Sequence, residues 1–232
     1  ERRVRIVQCE QGSPEWLMAR VGLVTASQFH RIVTRKTLKP SAQAGGYLAT
    51  IVAEWALQRP LEDESSLYMN RGSQSETSAL AKYELLRDVE VERVGFIVND
   101  EGTIGCSPDG LIGNEGDLEL KAPNAKTHVD YLLNGPPDDY NLQMMGRLWI
   151  TGRRWTDFMS WHPTLPPVLV RYARDETFIA ALAREVTAFV ARVAEAKALI
   201  LATGYVLPEP YDVVAARAQA EFATAIQGEQ LT

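Results

Sequence analysis

Asp109, Glu119 and Lys121 are the residues whose types and spacing could do chemistry. They lie in Ser107-Pro108-Asp109-Gly110-Leu111 and in Leu118-Glu119-Leu120-Lys121. Side chains alternate across a strand, so Glu119 and Lys121 point to one face while Leu118 and Leu120 point into the core. Nine residues separate Asp109 from Glu119, enough for a hairpin turning at Gly113-Asn114-Glu115-Gly116 that brings Asp109 back beside Glu119. Two carboxylates and an ammonium then converge at one end of a sheet. Such a carboxylate pair is a hard-oxygen site for Mg²⁺ or Mn²⁺, with positions left for water and a phosphate oxygen. A lysine beside it can orient an attacking water and neutralise developing charge. The competing reading is a solvated surface ion pair between Glu119 and Lys121, which would contribute little. The Pro-Asp-Gly at hairpin distance favours the chemical reading.

Strand-like segments at 91–99, 102–106, 110–112 and 118–121 form a meander punctuated by Gly and Asn. Ser13 caps a short helix that starts at Pro14 and ends at Arg20, and Thr25 caps a second one to about Val33. The basic stretch from Arg35 to Lys39, then residues 40–46, reads as a mobile loop. Tyr47, Leu48, Ile51, Val52, Trp55 and Ala56 fall at helical spacing. A further helix over 72–87 turns Leu80, Tyr83 and Leu86 to the core. Pro136-Pro137 opens a helix to about Thr151, two strands follow at 155–161 and 168–172, and Asp175 caps a long Ala-rich helix to about Leu201. Helices before and after a central mixed sheet give an α/β fold. One domain over residues 1–232 is expected, helical from about residue 175.

Composition narrows the class. The chain is 46% hydrophobic and 23% charged, as in ordinary globular domains. No apolar run is long enough to span a bilayer, and no apolar segment follows Glu1-Arg2-Arg3, so neither membrane insertion nor export is expected. Cys9 and Cys106 are the only cysteines, which fits a reducing cytoplasm and excludes a disulfide scaffold or a zinc cluster built on cysteine alone. A net charge of −6 speaks against a generic DNA binder, but a local basic face suffices. Arg31, Arg35, Lys36 and Lys39 are candidates, with Arg153 and Arg154 further along. His30, His128 and His162 lie on unrelated elements and read as structural or surface, so no histidine ligand is expected.

Pro108-Asp109 followed by Glu119-Leu120-Lys121 resembles the PD-(D/E)xK nuclease signature. With Cys106-Ser107 before it and Ala122-Pro123 after, it resembles the phage lambda exonuclease branch, the YqaJ-like viral recombinases. Further blocks recur in order. Trp16-Leu17-Met18-Ala19-Arg20 leads to Thr25-Ala26-Ser27, Gly72-Ser73-Gln74-Ser75-Glu76 is similar to the family's Gly-x-x-x-Glu helix, and Tyr140-Asn141-Leu142-Gln143 runs to Trp149 and a strand ending Trp161-His162-Pro163. The likeness covers about residues 14 to 163.

The resemblance implies a restriction-endonuclease-like core and a Mg²⁺-dependent exonuclease, with Mn²⁺ able to substitute. Asp109 and Glu119 would bind metal, with the Leu120 carbonyl as a further ligand and Glu76 holding metal waters. Lys121 would orient or activate the attacking water. Arg20, Ser27, Ser107 and Gln143 would grip a terminal 5′-phosphate, Met69 matches an apolar wedge between strands, and Arg35 and Lys36 are possible DNA contacts. The family digests the 5′-ended strand of linear duplex DNA as a ring-shaped homotrimer and hands the 3′ overhang to a single-strand annealing protein. A phage or prophage protein in the cytoplasm of a bacterial cell is therefore expected. Two alternatives stand beside it: another PD-(D/E)xK endonuclease or repair nuclease, and a non-catalytic DNA-binding recombination scaffold.

Overall fold

Pro108 has no backbone N–H to donate to a sheet ladder, and the meander expected over 91–121 divides there. The computed structural model describes residues 3–61 and 73–210, with backbone alone at 73–76 and 139. Strands β1 (Val4–Val7), β2 (Val24–Thr25), β3 (Phe96–Asn99) and β4 (Ile104–Cys106) form a first sheet, in the order β1-β3-β4-β2. Strands β5 (Gly110–Ile112), β6 (Gly116–Lys121), β7 (Trp155–His162) and β8 (Leu165–Ala173) form a second, in the order β5-β6-β7-β8. Both sheets are mixed: β2 runs parallel to β4 and β6 parallel to β7, while the other pairs are antiparallel. The expected mixed α/β architecture is therefore observed, with its strands shared between two sheets.

Helices α1 (Pro14–Arg20), α2 (Phe29–Ile32), α3 (Ala44–Leu57), α4 (Ser73–Arg87), α5 (Ala125–Asn134), α6 (Asp139–Thr151) and α7 (Glu176–Ala202) complete the described fold. Two expected caps are formed. Ser13 Oγ accepts from the Trp16 N–H at 3.2 Å, and Asp175 Oδ1 accepts from the Thr177 and Phe178 N–H groups. Thr25 is different: it ends β2 and makes no side-chain cap bond, and a 3-10 turn, Ala26–Gln28, precedes α2. Gly45 and Gly46 fall inside α3 rather than in the preceding loop. On α4, Leu86 is exposed and Ala79 fills the core with Leu80 and Tyr83. Helix α5 was not expected from the sequence. Asn124 Oδ1 caps it by accepting from the Thr127 N–H at 2.9 Å, and its inner side is His128 and Tyr131 rather than an aliphatic stripe.

Three apolar clusters hold these layers. The largest joins the first sheet to α2, α3, α6 and α7 through Phe29, Ile51, Ile97, Met145, Leu148 and Phe189. A second seats α4 on β6 and β7 through Ala79, Leu80, Tyr83, Leu118, Leu120 and Met159. The third packs Trp16 of α1 on Phe96 and Val98. None of the described helices is long and apolar enough to cross a membrane. Gly105 of β4 shows how tight the first sheet is: a Cβ there would lie 2.1 Å from Phe96 Cζ and 2.9 Å from the Ile97 carbonyl oxygen. Gly105→Ala should therefore lower stability by about 1–3 kcal/mol through overpacking, read from the urea midpoint at unchanged slope.

Candidate active site

Strand β6 carries Asp117, Glu119 and Lys121 on one face and Leu118 and Leu120 on the other. Both faces are covered, so polar–apolar alternation here does not mean outside–inside. Glu119 is only 2% exposed, which excludes the solvated surface pair. Its Oε1 contacts Lys121 Nζ, as the strand alternation requires. The hairpin turns at 113–115 and aligns Gly110 with Leu118. Asp109, one residue before β5, then docks on β6. Its N–H donates to the Leu118 carbonyl at 3.0 Å, and its Oδ2 accepts from the Leu120 N–H at 2.5 Å. A strand residue directs its N–H and C=O to the same edge, so the Leu120 carbonyl also faces the Asp109 side.

Charge on this face is balanced by a residue the sequence reading missed. Arg147 of α6 is buried, at 1% exposure, and donates Nη1 to Glu119 Oε2 and Nη2 to Asp117 Oδ1. Burial alone would raise the Glu119 carboxyl, but the Lys121 and Arg147 cations outweigh it and hold the group below its ordinary range. Burial opposes the Lys121 ammonium, yet Glu119 and Asp109 lift its pKa above the usual lysine value, so it stays charged. Asp109 goes the other way: burial first, then the Glu119 charge, push it up to about 7. The Tyr140 ring lies 5.9 Å from Lys121 Nζ and flanks the ammonium. The one clue to Arg147 in the sequence was a charge on an otherwise apolar helix stretch, Met144 to Ile150, four residues after Gln143.

The residues expected to grip a phosphate fall into connected groups. Arg20 stacks its guanidinium 4.0 Å over the Trp16 ring, and Trp16 Nε1 donates to Ser107 Oγ at 2.8 Å. Arg20 and Ser107 are thus joined through one buried indole, two residues from Asp109. Gln143 Nε2 lies 3.4 Å from Glu119 Oε1. Ser27 Oγ sits 3.5 Å from Thr25 Oγ1 in the 3-10 turn, which packs against α6. Arg20 also lines a small cleft with Trp16, Gln28, Tyr47 and Glu54.

Other expected residues lie elsewhere. Arg35 and Lys36 are exposed in the loop closed by the Val33–Pro40 bridge. Met69 is outside the described residues, as is the Glu76 side chain; α4, which carries Glu76, covers the Leu118/Leu120 face. Arg153 and Arg154 do not join a basic face. Arg153 donates to the Gly113 and Gly116 carbonyls and Arg154 pairs with Glu115 at 2.9 Å, so both hold the hairpin turn, about 17 Å along β6 from Lys121. His128 is buried between Ser160 Oγ at 2.7 Å and the Pro166 carbonyl at 2.9 Å, beside the His162 ring at 5.7 Å.

The donor set fits a hard divalent cation. Asp109 and Glu119 are like charges whose repulsion helps lift Asp109, and a cation between them relieves it. No cluster of three or more His, Cys, Asp or Glu side chains in metal-binding geometry occurs among the described residues. A bound ion would therefore take two carboxylates, a main-chain carbonyl and waters, the ligand set of Mg²⁺ rather than of zinc.

The fold recurs in solved structures. An alkaline exonuclease (LHK-Exo) from Laribacter hongkongensis is similar at 31% identity and TM-score 0.72, over 83% of this chain and 98% of that one. The same enzyme in complex with dAMP matches at 33% identity and TM-score 0.71, with the same coverage. A phage-related exonuclease from Haemophilus somnus 129PT shares the fold at 14% identity and TM-score 0.60, over 77% of this chain and 96% of that one. No curated protein sequence matches. The fold and these relatives together define a nuclease of the lambda exonuclease type, hence a hydrolase. The model of the YqaJ-like viral recombinase domain matches residues 15–154, and the chain belongs to that family.

Because the Asp109 carboxyl is lifted to about 7, a cation entering this site must displace a proton below that pH. Mn²⁺ affinity, measured by calorimetry, should be constant above about pH 8 and fall by about tenfold per unit well below pH 7, the signature of one displaced proton. In Asp109→Asn this dependence should vanish along with most of the affinity.

Proposed function

We propose that this protein is a Mg²⁺-dependent 5′-to-3′ exonuclease that digests the 5′-ended strand of linear duplex DNA and leaves 3′ overhangs. The observation that carries this reading is the docking of Asp109 on the main chain of β6, beside the buried Glu119–Lys121 pair. Asp109, Glu119 and the Leu120 carbonyl would hold the metal. A bound divalent cation supplies Lewis-acid polarisation of the scissile phosphate and a water of lowered pKa. Lys121, held protonated by its two carboxylates, acts as a fixed cation that orients the attacking water and offsets charge on the phosphate, not as a general base. Glu76 would steady the metal waters, and Met69 would wedge between the DNA strands.

Arg20, Ser27, Ser107 and Gln143 would grip the 5′-phosphate, with Arg20 as the charge-assisted anchor. The link from Arg20 through Trp16 to Ser107 supports a pocket adjoining the metal site. Arg35 and Lys36 would contact the DNA backbone. The dAMP held by the Laribacter relative is a deoxynucleoside monophosphate, which matches release of mononucleotides. Processive digestion calls for a ring around the duplex, so a homotrimer working with a single-strand annealing protein in the cytoplasm of a phage-carrying bacterium completes the reading. Light scattering at micromolar concentration should give three times the chain mass; a monomer that is nonetheless processive overturns the ring.

The decisive experiment is digestion of end-labelled linear duplex bearing 5′-phosphate or 5′-hydroxyl, with Mg²⁺ or chelator. Hydrolysis should require the metal, spare closed circles and favour the phosphorylated end. Asp109→Ala and Glu119→Ala should abolish it, and Lys121→Ala should keep metal and DNA binding but lose turnover. Arg20→Ala should erase the preference for phosphate, about tenfold or more, since a charge-assisted contact contributes about 1.5–3 kcal/mol. Cutting of closed circles would point to an endonuclease instead.

A further inference from the structure

We propose that Arg147 selects which divalent cations the Asp109–Glu119 pair accepts, by keeping one Glu119 oxygen out of the coordination sphere. The inference rests on the metal-site reading above. Arg147 is enclosed between α6 and β6 and grips Glu119 through Oε2 alone. Its second nitrogen is anchored on Asp117, buried at 0% exposure, so the guanidinium keeps its place whether or not Glu119 moves. A guanidinium is planar and permanently charged, and its hold on Oε2 is therefore constant. The other oxygen, Oε1, faces Lys121, whose side chain is 35% exposed, and Gln143 at 3.4 Å. Oε1 is thus paired with a partly exposed, flexible side chain, and Oε2 with an enclosed, rigid one.

A carboxylate limited in this way can give a cation one oxygen but cannot chelate it. That suits Mg²⁺ and Mn²⁺, which take a compact octahedral shell and keep several waters. Ca²⁺ takes six to eight oxygens at longer range and draws on bidentate carboxylates to fill them. Asp117 serves a different end from Asp109 and Glu119: it is engaged by Arg147, and its second oxygen has no hydrogen-bond partner among the described residues. Asp117 and Arg147 act together as a positioning pair, not as ligands.

The test is calorimetric titration of the full chain with Mn²⁺ and, separately, Ca²⁺. It compares wild type with Arg147→Gln and with the double variant Asp117→Asn/Arg147→Gln, which removes one anion together with the cation and so avoids stranding two buried carboxylates. Both metals are dications, so a loss of nearby charge moves both affinities alike and the ratio of the two Kd values reports geometry. Freed Oε2 should favour Ca²⁺ and lower Kd(Ca²⁺)/Kd(Mn²⁺) by about tenfold, the lower end of what outer-shell changes do to metal sites. An unchanged ratio in either variant, with folding verified by circular dichroism, overturns the proposal. Wild type gives a test that depends on no Arg147 variant: its Ca²⁺-induced infrared difference spectrum should carry only the wide carboxylate splitting of one-oxygen coordination. A bidentate band that disappears in Glu119→Gln also overturns it. If wild type binds neither cation, or Asp109→Asn binds both as wild type does, the metal-site reading itself fails and this inference with it.

Discussion

Asp117 and Glu119 stand two residues apart on one face of β6, both out of water, and the Arg147 guanidinium between them is what makes that arrangement tolerable. An isolated buried charge costs several kcal/mol, and one left behind by its partner is strongly destabilising. The ion network therefore constrains how α6 can lie on the second sheet. Gln143 and Arg147 are one helical turn apart, so the same face of α6 meets Glu119 twice. Such a network does not by itself add stability; its effect is to favour the register of helix on strand that sets Arg147 between both carboxylates.

The same helix reaches into the first sheet. Its residues Met145, Leu148 and Ile150 join the core formed with Phe29, Ile97 and Ile104. Gly146 allows the closest approach, since a Cβ there would lie 2.7 Å from the Phe29 ring. Helix α6 thus couples the strand that bears Glu119 to the 3-10 turn that bears Ser27. On the other side, Trp16 couples α1, with Arg20, to Ser107 at the start of the hairpin. The metal-binding and phosphate-binding candidates come from distant stretches of chain, and two contacts link them: Gln143 to Glu119, and Arg20 through Trp16 to Ser107.

Much of this was legible in the residues alone. The Asp109 hairpin was, because nine intervening residues with a Gly-Asn-Glu-Gly turn admit few other paths. The Ser13 and Asp175 caps were, because a capping bond spans two or three residues and depends on little else. The pairing of Glu119 with Lys121 followed from the two-residue period of a strand. These are local consequences of backbone geometry. The order of the family blocks added the class of chemistry, and the comparisons bear out the family and the mixed α/β fold.

What the sequence did not determine depends on partners far along the chain. Burial of both faces of β6 arises from α4 on one side and from Gln143 and Arg147 of α6 on the other, so Leu118 and Glu119 are both hidden. Arg147 meets its carboxylates across about thirty residues, and its place in an apolar helix stretch is the one local mark that sets it apart from a solvated helix arginine. Arg153 and Arg154 read as a basic face until the fold put carbonyls and Glu115 beside them. Helix α5 lacked an apolar stripe because its inner side is filled by His128, bonded to Ser160 and to the Pro166 carbonyl. Local pattern sets which residues can face one another along a strand or cap a helix. Only the packing of one element on another decides which charges lose their water, and therefore which must find each other.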